Sequence, residues 1–534
     1  MKTATDTGTA SRAGRGFSDI YRAVWRWHFY AGLLVLPFLV LLSVTGGLYL
    51  FRDGIDQFVH SDLMKVNTPV TQSAQNPAVT SLPLSEQVDQ ALASLPGTPV
   101  RVVPSPARDL TTEVDIVAAD GSGKQAVYVN PYSGEVQGQM AYRDSIMWTV
   151  RRLHSLAIMG PIGNATLEIA AGWSILLVFS GLFLWWPRGQ KGGVVTLRAT
   201  PARRLWWRDL HAVCGIIAAG FIVFLAVTGM PWSMVWGAKV NELANGHNYG
   251  YPDGVRVNTP MSDARLVDQE LTSWSLEQAV IPLSSLPGDA ADPIVDEGEH
   301  AGHGGSVASS APVKAAVPVS AAAIAHADIG LDEAERIFAR EGLAPGYAIN
   351  LPSTAQGVYT GSVYPDALER QQVVHVDRYS GDVLLDMHYA DYGPLGRALE
   401  WGINVHLGQQ YGLINQLILL MACLAMVMMS VGAGVMWWKR RPVGGIGIPP
   451  LPMERKRIAG VWGLMMIIGV IFPLVGLSLI VMGLLDWLWI RVTSGSASDG
   501  RGGIGEQCLI WRPRRGELRL ATASDACRGR GTHG

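Results

Sequence analysis

Apolar positions in this chain gather into long unbroken runs, and polar positions gather between them. Five runs are long enough to cross a bilayer, which takes about 20 residues: Phe29–Phe51, Leu167–Trp186, Ala212–Trp236, Leu413–Trp438 and Val461–Ile490. The first is too long, and too poor in a small-residue cleavage site, for an ordinary signal peptide. Between the runs the period changes. Gln125–Gln139 (QAVYVNPYSGEVQGQ) and Gln372–Asp386 (QVVHVDRYSGDVLLD) alternate apolar and polar residues on both sides of a Ser-Gly turn, which predicts a β-hairpin in each. Helices are expected just before them, over Leu84–Leu95 and Leu331–Glu341. The second has Asp332 and Glu333 in its first turn, where acids suit the helix dipole. The fold class that follows is an α-helical membrane bundle of five spans in two tandem repeats, with two inserted α+β domains.

The membrane part is written twice. The stretch around His28 (WHFYAGLLVLPFLVLLSVTGGLY) matches the stretch around His211 (LHAVCGIIAAGFIVFLAVTGMPW). Each histidine is followed four residues later by glycine, Gly32 or Gly215, and then at one shared distance by Val44-Thr45-Gly46 or Val227-Thr228-Gly229. A second pair repeats in the same way. His154 precedes VFSGLFLWWPR and His406 precedes MMSVGAGVMWWKRRP, with equal spacing to Trp185 and Trp437.

Charge orients the spans. With 49% hydrophobic and only 16% charged residues, and a net charge of −2, the chain is poorer in charge than a soluble protein of its length. Basic residues cluster before the first span (residues 1–27), in Pro187–Leu210 and in Lys439–Ile458, which puts these three on the cytoplasmic side. Arg52–Gly163 and Gly237–Gln410 then lie outside. The Arg-rich tail Arg491–Gly534 also falls outside, against the charge rule. Its Cys508 and Cys527 are able to pair in an oxidising compartment, whereas Cys214 and Cys423 are expected to be packing residues within spans.

The four histidines then fall at two depths, His28 and His211 near the inner boundary, His154 and His406 near the outer one. A parallel repeat about an axis along the membrane normal brings equivalent residues into opposition, pairing His28 with His211 and His154 with His406. Each pair is able to supply both axial nitrogens of one haem iron. Interfacial histidines satisfied by water or carbonyls are a second reading. A proton relay is a third, with only Glu168 and Asp486 as supporting acids within spans. Arg26, Arg208, Arg151 and Arg152 flank the histidines and suit haem propionates, or serve orientation and headgroup contact. Trp185-Trp186 and Trp437-Trp438 read as an inner aromatic belt. No C-x-x-C-H occurs, so a haem here is b-type. The insert Asp289–Ala327 reads as a flexible linker. Its Glu299, His300 and His303 are a weak metal-binding cluster or simply solvated. No nucleotide- or flavin-binding motif is visible, so electrons come from a separate donor, a cytoplasmic reductase or a membrane quinol. Nothing points to nucleic acid.

The H-x-x-x-G … T-G spans, the Y-S-G-[E/D]-V hairpins and the S-G/V-G … W-W spans resemble the PepSY-associated transmembrane proteins, over roughly residues 20–440. These are iron-regulated inner-membrane proteins that include bacterial ferrisiderophore reductases. The resemblance implies a four-helix haem-bearing bundle in the bacterial inner membrane, two periplasmic PepSY domains, and two haems b on His28, His154, His211 and His406. It implies an oxidoreductase that reduces ferric siderophores or other ferric chelates in the periplasm. The fifth span, the Arg/Cys tail and the His-containing insert depart from the pattern. A cupric reductase on the same scaffold and a non-catalytic, protease-inhibitory PepSY regulator are the alternatives.

Overall fold

A computed structural model describes residues 7–66, 80–187, 194–246, 250, 259–269, 272–287, 327–442, 447–449, 463 and 465–495. The expected insert cluster (Glu299, His300, His303) and the tail cysteines Cys508 and Cys527 lie outside the described residues.

Four long helices carry the first four apolar runs: α1 (Thr7–Tyr49), α4 (Gly160–Trp185), α5 (Arg204–Gly229) and α9 (Gly412–Arg440), with the short helices α2 (Leu84–Ser94), α3 (Ile146–His154), α6 (Trp236–Gly246), α7 (Leu331–Arg340) and α8 (Pro394–His406) between them in the chain. These four spans are long and apolar enough to cross a membrane. Neighbours around the ring are α1–α4, α4–α5, α5–α9 and α9–α1, so α1 faces α5, and α4 faces α9, across the bundle axis. Mid-bundle, Ala218, Ile222, Cys423 and Met426 close the centre with Leu39 and Val178 packed on them.

The fifth run differs from expectation. A bend at Phe472 precedes α10 (Pro473–Gly495), whose apolar part, Pro473–Leu488, is shorter than the other spans. Proline has no N–H to bond backwards and its ring meets the preceding turn, so the run Val461–Ile490 breaks there and restarts with Pro473 in a first-turn position that proline tolerates. The described residues from Gly476 onward belong to a unit separate from Met1–Val475. The third span also stops earlier than its apolar run: α5 ends at Gly229, and a short 3-10 turn, Met230–Trp232, holds Pro231.

The outer segments fold as expected locally but not as two separate units. The first contributes β1 (Gly97–Val103), β2 (Thr112–Ala118), β3 (Lys124–Val129) and β4 (Val136–Ala141). The second contributes the small ribbon β5 (Met261–Arg265) and β6 (Val280–Pro282), then β7 (Ala348–Asn350), β8 (Tyr359–Val363), β9 (Gln372–Val376) and β10 (Val383–His388). They make one eight-stranded sheet in the order β10-β9-β8-β7-β1-β2-β3-β4. The join is antiparallel, with Val102 opposite Ile349. Each half alone has a bare edge at β1 or β7, and pairing them satisfies both rows of backbone groups.

One hydrophobic core serves both halves. Val102, Val114, Ile116, Ile349 and Val374 lie beneath Ala91 of α2 and Ile337 and Phe338 of α7. Phe338 rides over β8 at Gly361, where an added Cβ would come within 2.7 Å of its ring. Ser85 at the start of α2 donates its N–H to Asp332 Oδ1 at 2.9 Å, which ties the starts of α2 and α7 together. The Ser-Gly turns close as twins: Asn130 Oδ1 accepts from the N–H of Tyr132 and Ser133, and Asp377 Oδ1 from those of Tyr379 and Ser380, an Asx turn in each. Gly134 (φ 73°) and Gly381 (φ 76°) follow in the left-handed region, which glycine enters without steric cost.

Candidate functional site

His28 lies inside α1 and His211 inside α5, since both helices begin well before their apolar runs. His154 and His406 each end a short helix, α3 and α8, that leads into α4 or α9. The structure brings the four together in twos. The ring centres of His28 and His211 are 6.5 Å apart with their planes at 81°, and those of His154 and His406 are also 6.5 Å apart at 81°.

Every ring is held by Nδ1. Thr45 Oγ1 donates its one proton to the Leu41 carbonyl at 2.7 Å, so toward His154 Nδ1, at 2.9 Å, it accepts. Thr228 Oγ1 donates to the Phe224 carbonyl at 2.7 Å and accepts from His406 Nδ1 at 2.8 Å. Ser180 Oγ donates to the Leu176 carbonyl at 2.8 Å and accepts from His28 Nδ1 at 2.8 Å. The fourth, His211, donates Nδ1–H to the Met429 carbonyl at 2.9 Å, and a carbonyl can only accept. All four imidazoles are therefore fixed as the Nδ1–H tautomer, and Nε2 of each is a free lone pair.

The spacing is too wide for a direct hydrogen bond between the rings and leaves room for a bridging atom. Two imidazoles sharing a direct hydrogen bond of about 2.9 Å would have centres about 5 Å apart, and two Nδ1–H tautomers have no Nε2 proton with which to make it. A metal–nitrogen bond of about 2.0–2.1 Å to each ring, with about 1.1 Å from nitrogen to ring centre, accounts for about 6.3 Å. The 6.5 Å observed matches the second. A hydrogen bond from the other ring nitrogen is also what orients a ligating histidine and sets its tautomer. The donor set thus fits a metal ion that would be held by two imidazoles, a set that would suit a haem iron.

Glycines make room at the rings. A Cβ at Gly46 would meet His154 Cε1 at 3.2 Å, one at Gly181 would meet His28 Cε1 at 3.3 Å, and one at Gly229 would meet His406 Cε1 at 3.4 Å. The V-T-G triplet therefore has a structural meaning: its threonine holds the histidine that leads into the neighbouring span, and its glycine clears the ring. Ser180-Gly181 does the same for His28. The repeat is imperfect here, because the position matching Ser180 in α9 is Gly432. A Cβ there would press on the Trp207 carbonyl at 3.3 Å and His211 Cβ at 3.4 Å, so α5 lies close and His211 bonds the main chain instead.

Three of the four flanking arginines, Arg26, Arg208 and Arg151, have partners in the protein. Arg26 is buried, donates to the Pro449 carbonyl at 2.5 Å and stacks over Tyr30. Arg208 and Arg198 both hold the fully buried Asp209, at 2.6 and 2.9 Å. Arg151 stacks over Trp148 at 4.6 Å, and Arg152 is exposed. Glu168, the acid noted within the second span, is buried and accepts from the N–H groups of Val235 and Trp236, tying the start of α6 to α4. It serves as an anchor in this arrangement. Among the described residues no group of three or more His, Cys, Asp or Glu has the geometry of a metal site.

The sequence model of the PepSY-associated TM region matches residues 25–440, which takes in all four histidines, both sets of strands and the four long helices. None of the curated proteins matches the chain.

Proposed function

The chain belongs to the PepSY-associated TM family, and on that premise we propose that it is a two-haem electron conduit of the bacterial inner membrane that reduces a ferric chelate, such as a ferric siderophore, in the periplasm. The observation that carries this reading is the twofold occurrence of an Nδ1-anchored histidine pair with ring centres 6.5 Å apart. His28 and His211 would hold one haem b, and His154 with His406 the other. A haem iron bound there supplies one-electron chemistry between its ferric and ferrous states. The chain's own part is to present two neutral imidazoles at a fixed separation, to keep both protons on Nδ1, and to surround the rings with α1, α4, α5 and α9.

Position along the bundle supports two stations. Thr45, which holds His154, follows His28 by seventeen residues of the same helix, as Thr228 follows His211. That is about 25 Å at 1.5 Å per residue, close to the thickness of a bilayer's apolar core. Electrons would enter at the His28/His211 end from a separate cytoplasmic reductase or a membrane quinol, and leave at the sheet-side end. Reduction would free the metal because ferrous iron is held far less well than ferric iron by hard-oxygen chelators.

The test is spectroscopic first. Purified protein should be red, with two paired-histidine haems. His28→Ala and His211→Ala should remove the same haem, His154→Ala and His406→Ala the other. Each same-pair double variant should resemble its singles, because one site can be lost only once. Dithionite-reduced protein should be reoxidised by a ferric chelate. A colourless protein, or four variants with full haem, would refute the proposal and favour a regulatory PepSY module.

A further inference from the structure

A cavity of about 670 Å³ opens where α5 ends on the sheet side, lined by Trp232, Ser233, Met234, Asn241, Glu242 and Glu277 among others. It begins three residues beyond Thr228, the residue that holds His406 Nδ1. The neighbouring α8 crosses α5 at Gly402, where a Cβ would strike the Thr228 methyl at 2.7 Å. Two residues before that crossing, Glu400 is buried and accepts the Ser275 N–H at 2.7 Å. Trp274, Ile403 and Ala244 pack α8, α6 and the 272–276 segment into one block behind the cavity, and Trp274 Nε1 donates to the Pro231 carbonyl at 3.1 Å. The cavity wall and the ligand-bearing helix are thus one packed unit.

Glu277 faces this cavity half-buried, accepting a hydrogen bond from the Trp232 side chain. The charged groups around it come from three elements. Glu400 on α8 repels it. Glu242 on α6 shares the cavity but is paired with the exposed Lys239 at 2.8 Å. Beside it on the chain, Gln278 is held by Arg265. No guanidinium or ammonium is paired with Glu277 or Glu400 among the described residues. Desolvation therefore governs both carboxyls and raises each to about 7, so that each is protonated below neutral pH, where an ordinary carboxyl is ionised. The device belongs to the second half alone: the position matching Glu400, six residues before the histidine, is Trp148 in α3.

We propose that Glu277, backed by Glu400, is the proton donor to an oxygen-liganded ferric chelate seated in this cavity, so that each electron leaving the sheet-side histidine pair is matched by a proton. In the step, the electron converts ferric to ferrous iron and one iron–oxygen bond of the chelate breaks. The freed anionic oxygen takes the carboxyl proton of Glu277, and the resulting carboxylate regains a proton from bulk water. The inference rests on the reductase reading above and adds the group that completes the release.

The test uses the haem-loaded full chain, reduced with dithionite and mixed in a stopped flow with a ferric hydroxamate from pH 5 to 9. The wild-type reoxidation rate should fall as pH rises through about 7. Glu277→Gln should react about 100-fold more slowly at pH 6, the low end of what a general acid contributes, with a flat pH profile and unchanged haem content. Glu277→Asp should restore a pH-dependent profile. Glu400→Gln, which removes a like charge, should move the midpoint to lower pH. Ferricyanide, which accepts an electron without a proton, checks the electron path separately. A Glu277→Gln protein with the wild-type rate and profile overturns the inference. Wild-type protein that ferricyanide reoxidises but the ferric hydroxamate does not overturns the reductase reading, and this inference with it.

Discussion

Replacing Thr45 with valine isolates the role of one hydroxyl. Valine keeps the shape and the β-branch of threonine but has no acceptor for His154 Nδ1–H, 2.9 Å away. The ring keeps the Leu42 carbonyl as a partner, so the lost hydroxyl costs at most about 1–3 kcal/mol. The grip that keeps its proton off Nε2 is weakened, so a tautomer unable to ligate becomes more accessible. Loss of such an orienting partner typically lowers metal affinity by about 10–100-fold, or about 1.4–2.8 kcal/mol, the same range as the hydrogen-bond estimate. The effect should be confined to the sheet-side haem, because the other pair lies about 25 Å along the bundle. Thr45→Ser, which keeps the hydroxyl, should stay near wild type. Haem retention against a competing haem-binding apoprotein, with a redox titration that resolves the two components, reads both quantities. Two haems of wild-type affinity in Thr45→Val, or a loss confined to the His28/His211 component, would show that the hydroxyl does not orient the ligand.

Four further outcomes follow from other parts of the fold. Gly229→Val should displace His406 and remove the sheet-side haem, since even the Cβ would stand 3.4 Å from Cε1; haem content checks this, with Gly220→Val, which meets nothing within 4 Å, as the control. Asp115 is fully buried and binds Arg101 and Lys124 at 3.1 and 3.2 Å, so Asp115→Ala should lower the stability of the sheet by about 2–3 kcal/mol in a urea titration, towards the low end for a broken buried pair because both cations reach solvent. His375 is buried on β9 and bonded to Thr360 Oγ1 at 2.9 Å, and desolvation lowers its pKa to about 3 from the ordinary 6.5. The unfolded chain binds that proton first, so this contribution to stability is complete above pH 6.5 and is lost as pH falls towards 3; His375→Gln should flatten stability against pH in that window. Cysteines at Val102 and Ile349, opposite each other across the β1–β7 join, should oxidise to one bridge seen as a linked peptide by mass spectrometry, and two free thiols would argue against the continuous sheet.

Much of the site was legible because it is repeated. Two histidines at one offset from a V-T-G triplet, and two at one offset from a tryptophan pair, define two pairs of equivalent positions without reference to any fold. The hairpin turns were legible for a local reason: Asn130 or Asp377 bonds main-chain groups two and three residues on, and glycine follows where φ is positive. The bend at Phe472 in the fifth run was not legible from hydropathy, which ignores what Pro473 does to a helix. The role of Thr45, Thr228 and Ser180 was missed because small hydroxyl residues in a span also satisfy themselves against their own helix, as each of these does.

By itself, then, the sequence determined what depends on short-range periodicity: four apolar helices, two twin hairpins, and the placing of one histidine at an end of each span. Tertiary structure decided everything that joins residues far apart in the chain. It chose one eight-stranded sheet over two four-stranded ones, because two bare strand edges are satisfied by pairing with each other. It set each Nδ1 against an acceptor on a different helix and so determined the tautomer of all four rings. It also brought Glu277 and Glu400 from separate segments to one cavity wall, where burial gives two ordinary acids a pKa that no reading of their neighbours in sequence would assign.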